Sequence, residues 1–330
     1  MKEEGLQTSR VVLRSVARRS VQDAVEEVMA ACGWEELVRP HARVVLKPNL
    51  CMSVEAKVLG ANTHASITEA VCRVLMRRTR NVVIGEADHL RQKAERAFEA
   101  SGYVEMARGL GVPLVNFSDM RWKQVHCPPL GGPVGVPAAL LECDVFVTLP
   151  VLKTHALTYF TGALKNQWGC MPQYDRILMH RHLDPMLAWL QSVLRPALSV
   201  MDGIVGMEGR GPTNGKPRRL DLLLASRDAV ALDASAARLV GLDPARSRHI
   251  VLSAEQGLGH MREDQIELDG PWDAHRTQFE PAVLDGAVAA MNYMSRYRWF
   301  VRHVLERDSI FYPGRKLVQA LRRARLVAGG

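Results

Sequence analysis

The run Val145-Phe-Val-Thr-Leu149-Pro-Val-Leu-Lys153-Thr-His155 decides the fold: an apolar, β-branched stretch, a proline that interrupts it, then a lysine and a histidine. A short apolar run without polar alternation fits a strand buried on both faces, and such strands belong to parallel sheets covered by helices. Similar runs recur, and we read further strands at Val11–Val16, Val44–Lys47, Val82–Gly85, Leu114–Phe117, Ala197–Met201 and Leu220–Ala225. Between them, Ser66-Ile-Thr-Glu69 reads as a capping box opening a helix, and Ser20-Val-Gln-Asp23 opens another that Cys32-Gly33 closes. Helices are also expected at Ala94–Ala100, Asp184–Leu194 and Asp228–Val240. The class is α/β: a mostly parallel open sheet with helices on both faces over residues 1–290, followed by a helical C-terminal appendage at 291–330.

In such sheets ligands bind beyond the carboxyl ends of the strands, where loops and helix N-termini converge. The expected strands end in reactive residues: Lys47-Pro-Asn49, Glu86-Ala-Asp88-His89, Lys153-Thr-His155 and Asp202-Gly203. If the sheet is parallel, these groups share one edge.

Composition excludes several classes. The chain is 47% apolar and 24% charged, which is ordinary for a globular protein and excludes disorder or a collagen-like repeat. The charged N-terminus offers no secretory leader and no segment offers about 20 consecutive apolar residues, so no membrane span and a cytoplasmic location are expected. Six widely spaced cysteines without a C-x-x-C pair speak against a zinc ribbon or a self-contained iron–sulfur motif.

Nine lysines stand against 34 arginines, so generic positive charge is supplied by arginine and each lysine is informative. Lys47, Lys153 and Lys165 lie in polar, punctuated motifs, where a compact ammonium can serve as acid, base or anion anchor. The plainer alternative is that they fix loops through backbone carbonyls. The densest segment runs from Lys153 and His155 through a hydroxyl- and glycine-containing stretch to Lys165-Asn166. An imidazole between two ammonium groups would be neutral near pH 7 and able to act as a base or metal ligand. A divalent metal held by His155, His180 or His182 and Asp202 is one option, although the spacing matches no standard zinc pattern. A second segment, Asp202 to Gly215, carries five glycines in fourteen residues and reads as an anion-binding loop, with Gly206, Glu208, Gly209 and Arg210 as ligand contacts. It is neither a P-loop nor a dinucleotide fingerprint.

The motifs Lys47-Pro-Asn-Leu50 with Thr63, Leu149-Pro-Val-Leu-Lys-Thr-His155, Thr161-Gly-Ala-Leu-Lys-Asn166, His180 and Asp202-Gly-Ile-Val-Gly-Met-Glu-Gly-Arg-Gly-Pro212 with Gly215 resemble the domain of unknown function family 362, over roughly residues 40–245. Many members of that family contain ferredoxin-like modules, which implies redox chemistry. This chain lacks the cysteine run, so a redox or accessory role would need an electron-transfer partner. A weaker similarity, to the N-terminal α/β domain of nickel-dependent lactate racemases, implies proton and hydride handling on a small carboxylate.

The net charge of +8 is unevenly placed: nine basic and two acidic residues fall within 291–330, leaving 34 and 33 for the rest. The same tail holds six of nineteen aromatics, Tyr293, Tyr297, Trp299, Phe300, Phe311 and Tyr312, interleaved with arginines, and apolar stripes on both sides of Pro313-Gly314 suggest two amphipathic helices. Packing on the body or on a second subunit, with oligomerisation through the tail, is the favoured role; an anionic membrane surface and single-stranded nucleic acid are the alternatives, the last disfavoured.

The expected function is an enzyme acting on an anionic or oxygen-rich small molecule, of isomerase, lyase or cyclase type. Lys153 and His155 would move protons, Lys47 and Lys165 would hold or polarise an oxyanion, Asn49, Thr63 and Asn166 would orient the ligand, and Asp202 would position His155 or hold a cation.

Overall fold

The computed structural model describes residues 8–51, 59–90, 92–172, 176–213, 215–283, 286–307, 309–310 and 313–314. Its strands are β1 Ser9–Ser15, β2 Val44–Pro48, β3 Val82–Glu86, β4 Leu114–Asn116, β5 Trp122–Cys127, β6 Gly132–Pro137, β7 Val145–Leu149, β8 Val151–His155, β9 Tyr159–Thr161, β10 Leu198–Glu208, β11 Lys216–Ser226 and β12 Ile266–Asp269. Ten form one sheet with the path β12-β1-β11-β10-β7-β2-β3-β4, and β8 leaves this path to pair with β10 and β9. The pairings β10–β7, β7–β2, β2–β3 and β3–β4 are parallel, while β11 runs antiparallel to both β1 and β10. The mostly parallel α/β expectation holds.

Both faces are covered. On one, Val25, Val28 and Met29 of the helix Val21–Ala31 and Ile67, Val71 and Leu75 of the helix Ala65–Leu75 pack on Val44, Leu46 and Val147. On the other, the wholly buried helix face of Ala229–Leu239 packs on Leu13, Leu222 and Leu224, and Leu183–Leu194 packs near Val45 and Phe146. Alternate residues of one strand, such as Val44 and Val45, therefore enter different cores, which is why the run lacks polar alternation.

Several local expectations are corrected. The helix after Thr63 starts two residues earlier than the capping box implied: His64 is its N-cap, its ring Nδ1 accepting the Ser66 N–H, and Glu69 pairs with Arg73 instead. Ser20 does cap its helix, and Gly33, with φ of 65°, follows the C-cap Cys32. The strands β10 and β11 are eleven residues long, so the first half of the glycine-rich segment, Asp202 to Glu208, is strand and not loop. Glycine is needed at 206 because a Cβ there would stand 2.9 Å from the Leu152 carbonyl oxygen and 3.1 Å from the Phe279 ring. The β5–β6 hairpin, β8, β9 and β12 were not anticipated; β8 and β9 hid because their polar residues read as a loop.

At the C-terminal end, the helical segments Gly286–Met294 and Arg298–Phe300 and a π-turn at Val301–Leu305 are formed. Val301 and Leu305 are buried, whereas Tyr293, Tyr297 and Trp299 are exposed, so the aliphatic residues anchor this segment and most of its large rings do not bury. Phe311, Tyr312 and the second expected amphipathic helix lie outside the described residues.

Candidate active site

Parallel pairing brings the carboxyl ends of β2, β3 and β7 to one edge, and there Lys47 meets Glu86. The ammonium donates to Glu86 Oε2 at 2.8 Å, to the Pro48 carbonyl at 2.9 Å and to Asn166 Oδ1 at 3.3 Å, which uses all three of its protons. Glu86 in turn accepts the backbone N–H groups of Leu50 and Ala87. Gly169 closes the pair from above, since a Cβ there would lie 2.7 Å from both Lys47 Nζ and Glu86 Oε1. Lys47 is thus a structural ion, the plainer of the two readings; its protons are spent before any ligand arrives.

Beyond Leu149 the chain loses one of its two partner strands. β7 lies between β2 and β10, whereas β8 keeps β10, leaves β2 and turns back as β9, so the chain diverges from β2 past Pro150. A cavity of about 410 Å³ lies at this divergence, lined among others by Asn49, Cys51, Glu86, Lys153, His155, Thr161, Lys165, Trp168, Arg176, His180 and Arg210. The β8–β9 register explains part of the lining. Lys153 is the cross-strand partner of Thr161, and His155 lies two residues on, on the same face. Thr154, on the opposite face, directs its hydroxyl to the carbonyls of Met207 and Gly209.

Lys153 is buried and donates to the Ala61 carbonyl at 2.7 Å and to Cys51 Sγ at 3.4 Å. His155 Nδ1 accepts two backbone protons, from Leu157 at 3.1 Å and Thr158 at 3.2 Å. Burial, reinforced by the positive charges of Lys165 and Lys153, holds the ring well below the usual histidine range. A neutral ring whose Nδ1 is an acceptor carries its proton on Nε2. His155 therefore presents a donor, which corrects the expectation of a base: the lone pair a base would use is already taken. His180 is also neutral, pushed down to about 3 by burial and then by Lys165 and His89, and its ring packs 5.5 Å from that of Trp168.

Lys165 differs from the other two lysines. It sits on the short helix Ala163–Asn166, is partly exposed, and lies 5.9 Å from the Trp168 ring centre. Among the described residues, no oxygen acceptor lies within hydrogen-bond distance of its Nζ. Burial, and after it the charges of Lys153 and Arg176, brings its ammonium down to about 7. The helix is held from behind by Asp233, a fully buried carboxylate that accepts the N–H groups of Ala163 at 2.7 Å and Leu164 at 3.0 Å. Gly162 is required by this contact, because a Cβ would stand 2.0 Å from Asp233 Oδ1. Burial raises the Asp233 carboxyl to about 7 despite the two N–H donors.

The remaining expected residues divide. Asn49 lines the cavity, but its amide donates to the Ala61 carbonyl; Asn166 donates to the Lys47 carbonyl and the Thr148 hydroxyl. Thr63 lies outside the lining and is engaged with Asn49 N–H and the Leu149 carbonyl. Asp202 does not meet His155: it accepts the N–H groups of His64 and Ile204, and burial raises its carboxyl. Gly206 packs inside the sheet, Glu208 accepts the Glu280 N–H, and Gly209, with φ of 74°, donates to the Glu280 carbonyl, so of the glycine-rich set Arg210 and the following Gly211, Pro212 and Thr213 reach the cavity. Sequence reasoning missed Cys51, Trp168, Arg176, Thr161 as a lining residue, and Asp233. The last had a signal: a lone carboxylate within the buried run Ala229–Ala237.

A metal on His155, His180 and Asp202 does not fit these residues. Ligation through His155 Nε2 would need the proton moved to Nδ1, against two backbone donors, and Asp202 is committed elsewhere. Among the described residues, no three His, Cys, Asp or Glu side chains are grouped to hold a metal ion.

The model of the Domain of unknown function (DUF362) matches residues 44–238. The Thylakoid-associated protein sll1697 of Synechocystis sp. is 29% identical over 234 residues, which cover 69% of this chain and 71% of that protein. Among solved structures, the lactate racemase apoprotein from Thermoanaerobacterium thermosaccharolyticum is similar with a TM-score of 0.50 and 12% identity, over 70% of this chain. The chain spans 57% of the racemase's length, and the likeness is one of fold.

Proposed function

The chain belongs to the domain of unknown function family 362, and from its lysine-lined pocket we propose that it is an enzyme acting on a small anionic, oxygen-rich molecule. One observation carries this reading: of three lysines lining one cavity, Lys47 has all three protons committed and Lys153 two of three, while Lys165 is unpaired among the described residues and poised between amine and ammonium near neutral pH. Lys153, Arg176 and Arg210 supply positive charge for an anionic group, His155 Nε2–H donates to an oxygen on the reacting carbon, and Lys165 is the reactive amine. Activation of a carbon next to a carbonyl or carboxylate, as in isomerases, lyases and cyclases, is the chemistry this set supports. The deprotonated amine is formed without help from a base.

The test is calorimetric and spectroscopic. Small hydroxy and oxo carboxylates are titrated into the protein between pH 6 and 8.5, and exchange of their C–H protons in D2O is followed by NMR. Affinity should fall as pH rises through about 7, because Lys165 loses its charge, and Lys165→Met should remove both this dependence and the exchange. Binding whose pH dependence survives in the variant, or no binding of any such anion, would refute the reading.

A second reading concerns location. No helix among the described residues is long and apolar enough to cross a membrane, and we keep the cytoplasmic assignment with one addition. The relative named thylakoid-associated, together with exposed Tyr293, Tyr297 and Trp299 beside exposed Arg296, Arg298 and Arg302, supports peripheral attachment to an anionic bilayer.

A further inference from the structure

Thr161 points to the kind of molecule the cavity takes. Among the described residues its side-chain oxygen, itself buried, has no hydrogen-bond partner, and the residue, 3% exposed, lines the cavity. Buried hydroxyls in folded proteins are nearly always satisfied, so an orphan in the cavity wall is a group that a small side-chain rotation would offer to a ligand. It stands across the β8–β9 ladder from Lys153, one residue before the turn into the helix that carries Lys165. A cation, a hydroxyl in the wall and an amine without an oxygen acceptor among the described residues thus line one cavity.

Lys153, His155 and Lys165, which line the same cavity, make complementary demands. Lys153, already fixed by the Ala61 carbonyl, adds a localised positive charge suited to a carboxylate. His155 Nε2–H, a neutral donor, suits a carbonyl oxygen better than a second anion. The amine of Lys165, flanked by cations and without an acidic partner among the described residues, is a nucleophile. Trp168 and Leu157 add an apolar wall for a side chain.

We propose that Lys165 condenses with the carbonyl carbon of a 2-oxo carboxylate to form an imine, so that the substrate class of this site is the 2-oxo acids. The proposal rests on the enzyme reading above and specifies it. The nitrogen lone pair attacks the carbonyl carbon, forming the C–N bond while the C=O π pair moves onto oxygen, which is steadied by the His155 and Thr161 side chains. A proton passes from nitrogen to that oxygen, a second proton comes from solvent, and the oxygen leaves as water as the C=N bond forms. The products are one protonated imine and one water, with no change of oxidation state. The iminium then withdraws electrons from the neighbouring carbon, which is the activation an isomerase or lyase needs.

The full chain is incubated with pyruvate, 2-oxoglutarate or phenylpyruvate and reduced with sodium borohydride, then measured by intact mass and peptide mapping. A single reduced adduct on Lys165 is expected with at least one of the three. It should be lost in Lys165→Arg, which keeps the charge, and diminished several-fold in Thr161→Val. Lactate, which has the carboxylate but no carbonyl, should compete without forming an adduct. Adducts spread over surface lysines, an adduct on Lys153 alone, or none at Lys165 would overturn the proposal. C–H exchange or pH-linked binding that persists without an adduct would remove the imine and leave the enzyme reading standing; loss of all three would remove both.

Discussion

Lys47 Nζ and Glu86 Oε2 stand 2.8 Å apart at the ends of two adjacent parallel strands, both closed off from solvent. Removing one partner of such a pair leaves a buried charge without compensation, which costs about 3–5 kcal/mol. Lys47→Met should lower stability by that amount in urea denaturation, and the double change with Glu86→Leu should recover much of the loss. A Lys47→Met protein as stable as the parent would contradict the structural role assigned to this lysine.

The His155 ring should be found as one tautomer. With Nδ1 accepting from Leu157 and Thr158, long-range nitrogen–proton NMR should show a protonated Nε2 and an unprotonated Nδ1, and no titration in the ordinary histidine range. An Nδ1–H signal, or a midpoint near the ordinary 6.5, would show that the ring is free to act as a base.

Asp233 should imprint a pH dependence on stability. Its carboxyl is raised from 3.8 to about 7, so between those values the folded chain holds a proton that the unfolded chain has released. By linkage its contribution is most favourable in acid and is lost as pH rises through about 7. Thermal denaturation should show this component of the slope disappear in Asp233→Asn. The variant keeps one acceptor for the two N–H groups and should remain folded, with a lower melting temperature in acid. A slope unchanged by the substitution would mean that Asp233 is ionised throughout.

Attachment to a bilayer should depend on the exposed rings. Co-sedimentation with phosphatidylglycerol vesicles should exceed that with phosphatidylcholine vesicles several-fold, fall with salt, and drop in a Tyr297→Ser, Trp299→Ser protein. Equal partitioning to both vesicle types, or none, would remove this reading.

Much of the architecture could be read from the chain because parallel strands carry their burial on both faces: Val44–Pro48 and Val145–Leu149 are nearly continuous apolar runs. The shared edge was legible for the same reason, since parallel strands put Lys47 and Glu86 at the same end. What could not be read was how each polar group is spent. Lys47 finds Glu86 39 positions away, and Asp233 finds the N-terminus of its helix 70 positions earlier in sequence; no local pattern encodes either meeting. β8 was hidden for a different reason. Lys153 and His155 alternate with Thr154 as strand residues should, but the face they share is a cavity wall, so the usual apolar alternation is absent. Asp202 misled because an acid at a strand end looks the same in sequence whether it turns to a ligand or to the backbone of His64.

The packing of Gly169 against Lys47 and Glu86 has a consequence for how this pocket can change. Its floor is a closed set: every donor there is matched, and a single added methyl at 169 would strike both ends of the ion pair. Leu157, Thr213 and Val283, by contrast, belong to connecting segments at the rim. Selection for a new ligand, in nature or in a library, would therefore find its tolerated substitutions among the rim residues, while the Lys165 amine and the charge beneath it stay constant. On the enzyme reading proposed above, diversity of substrates with uniformity of reaction is the pattern such a division of labour would leave behind.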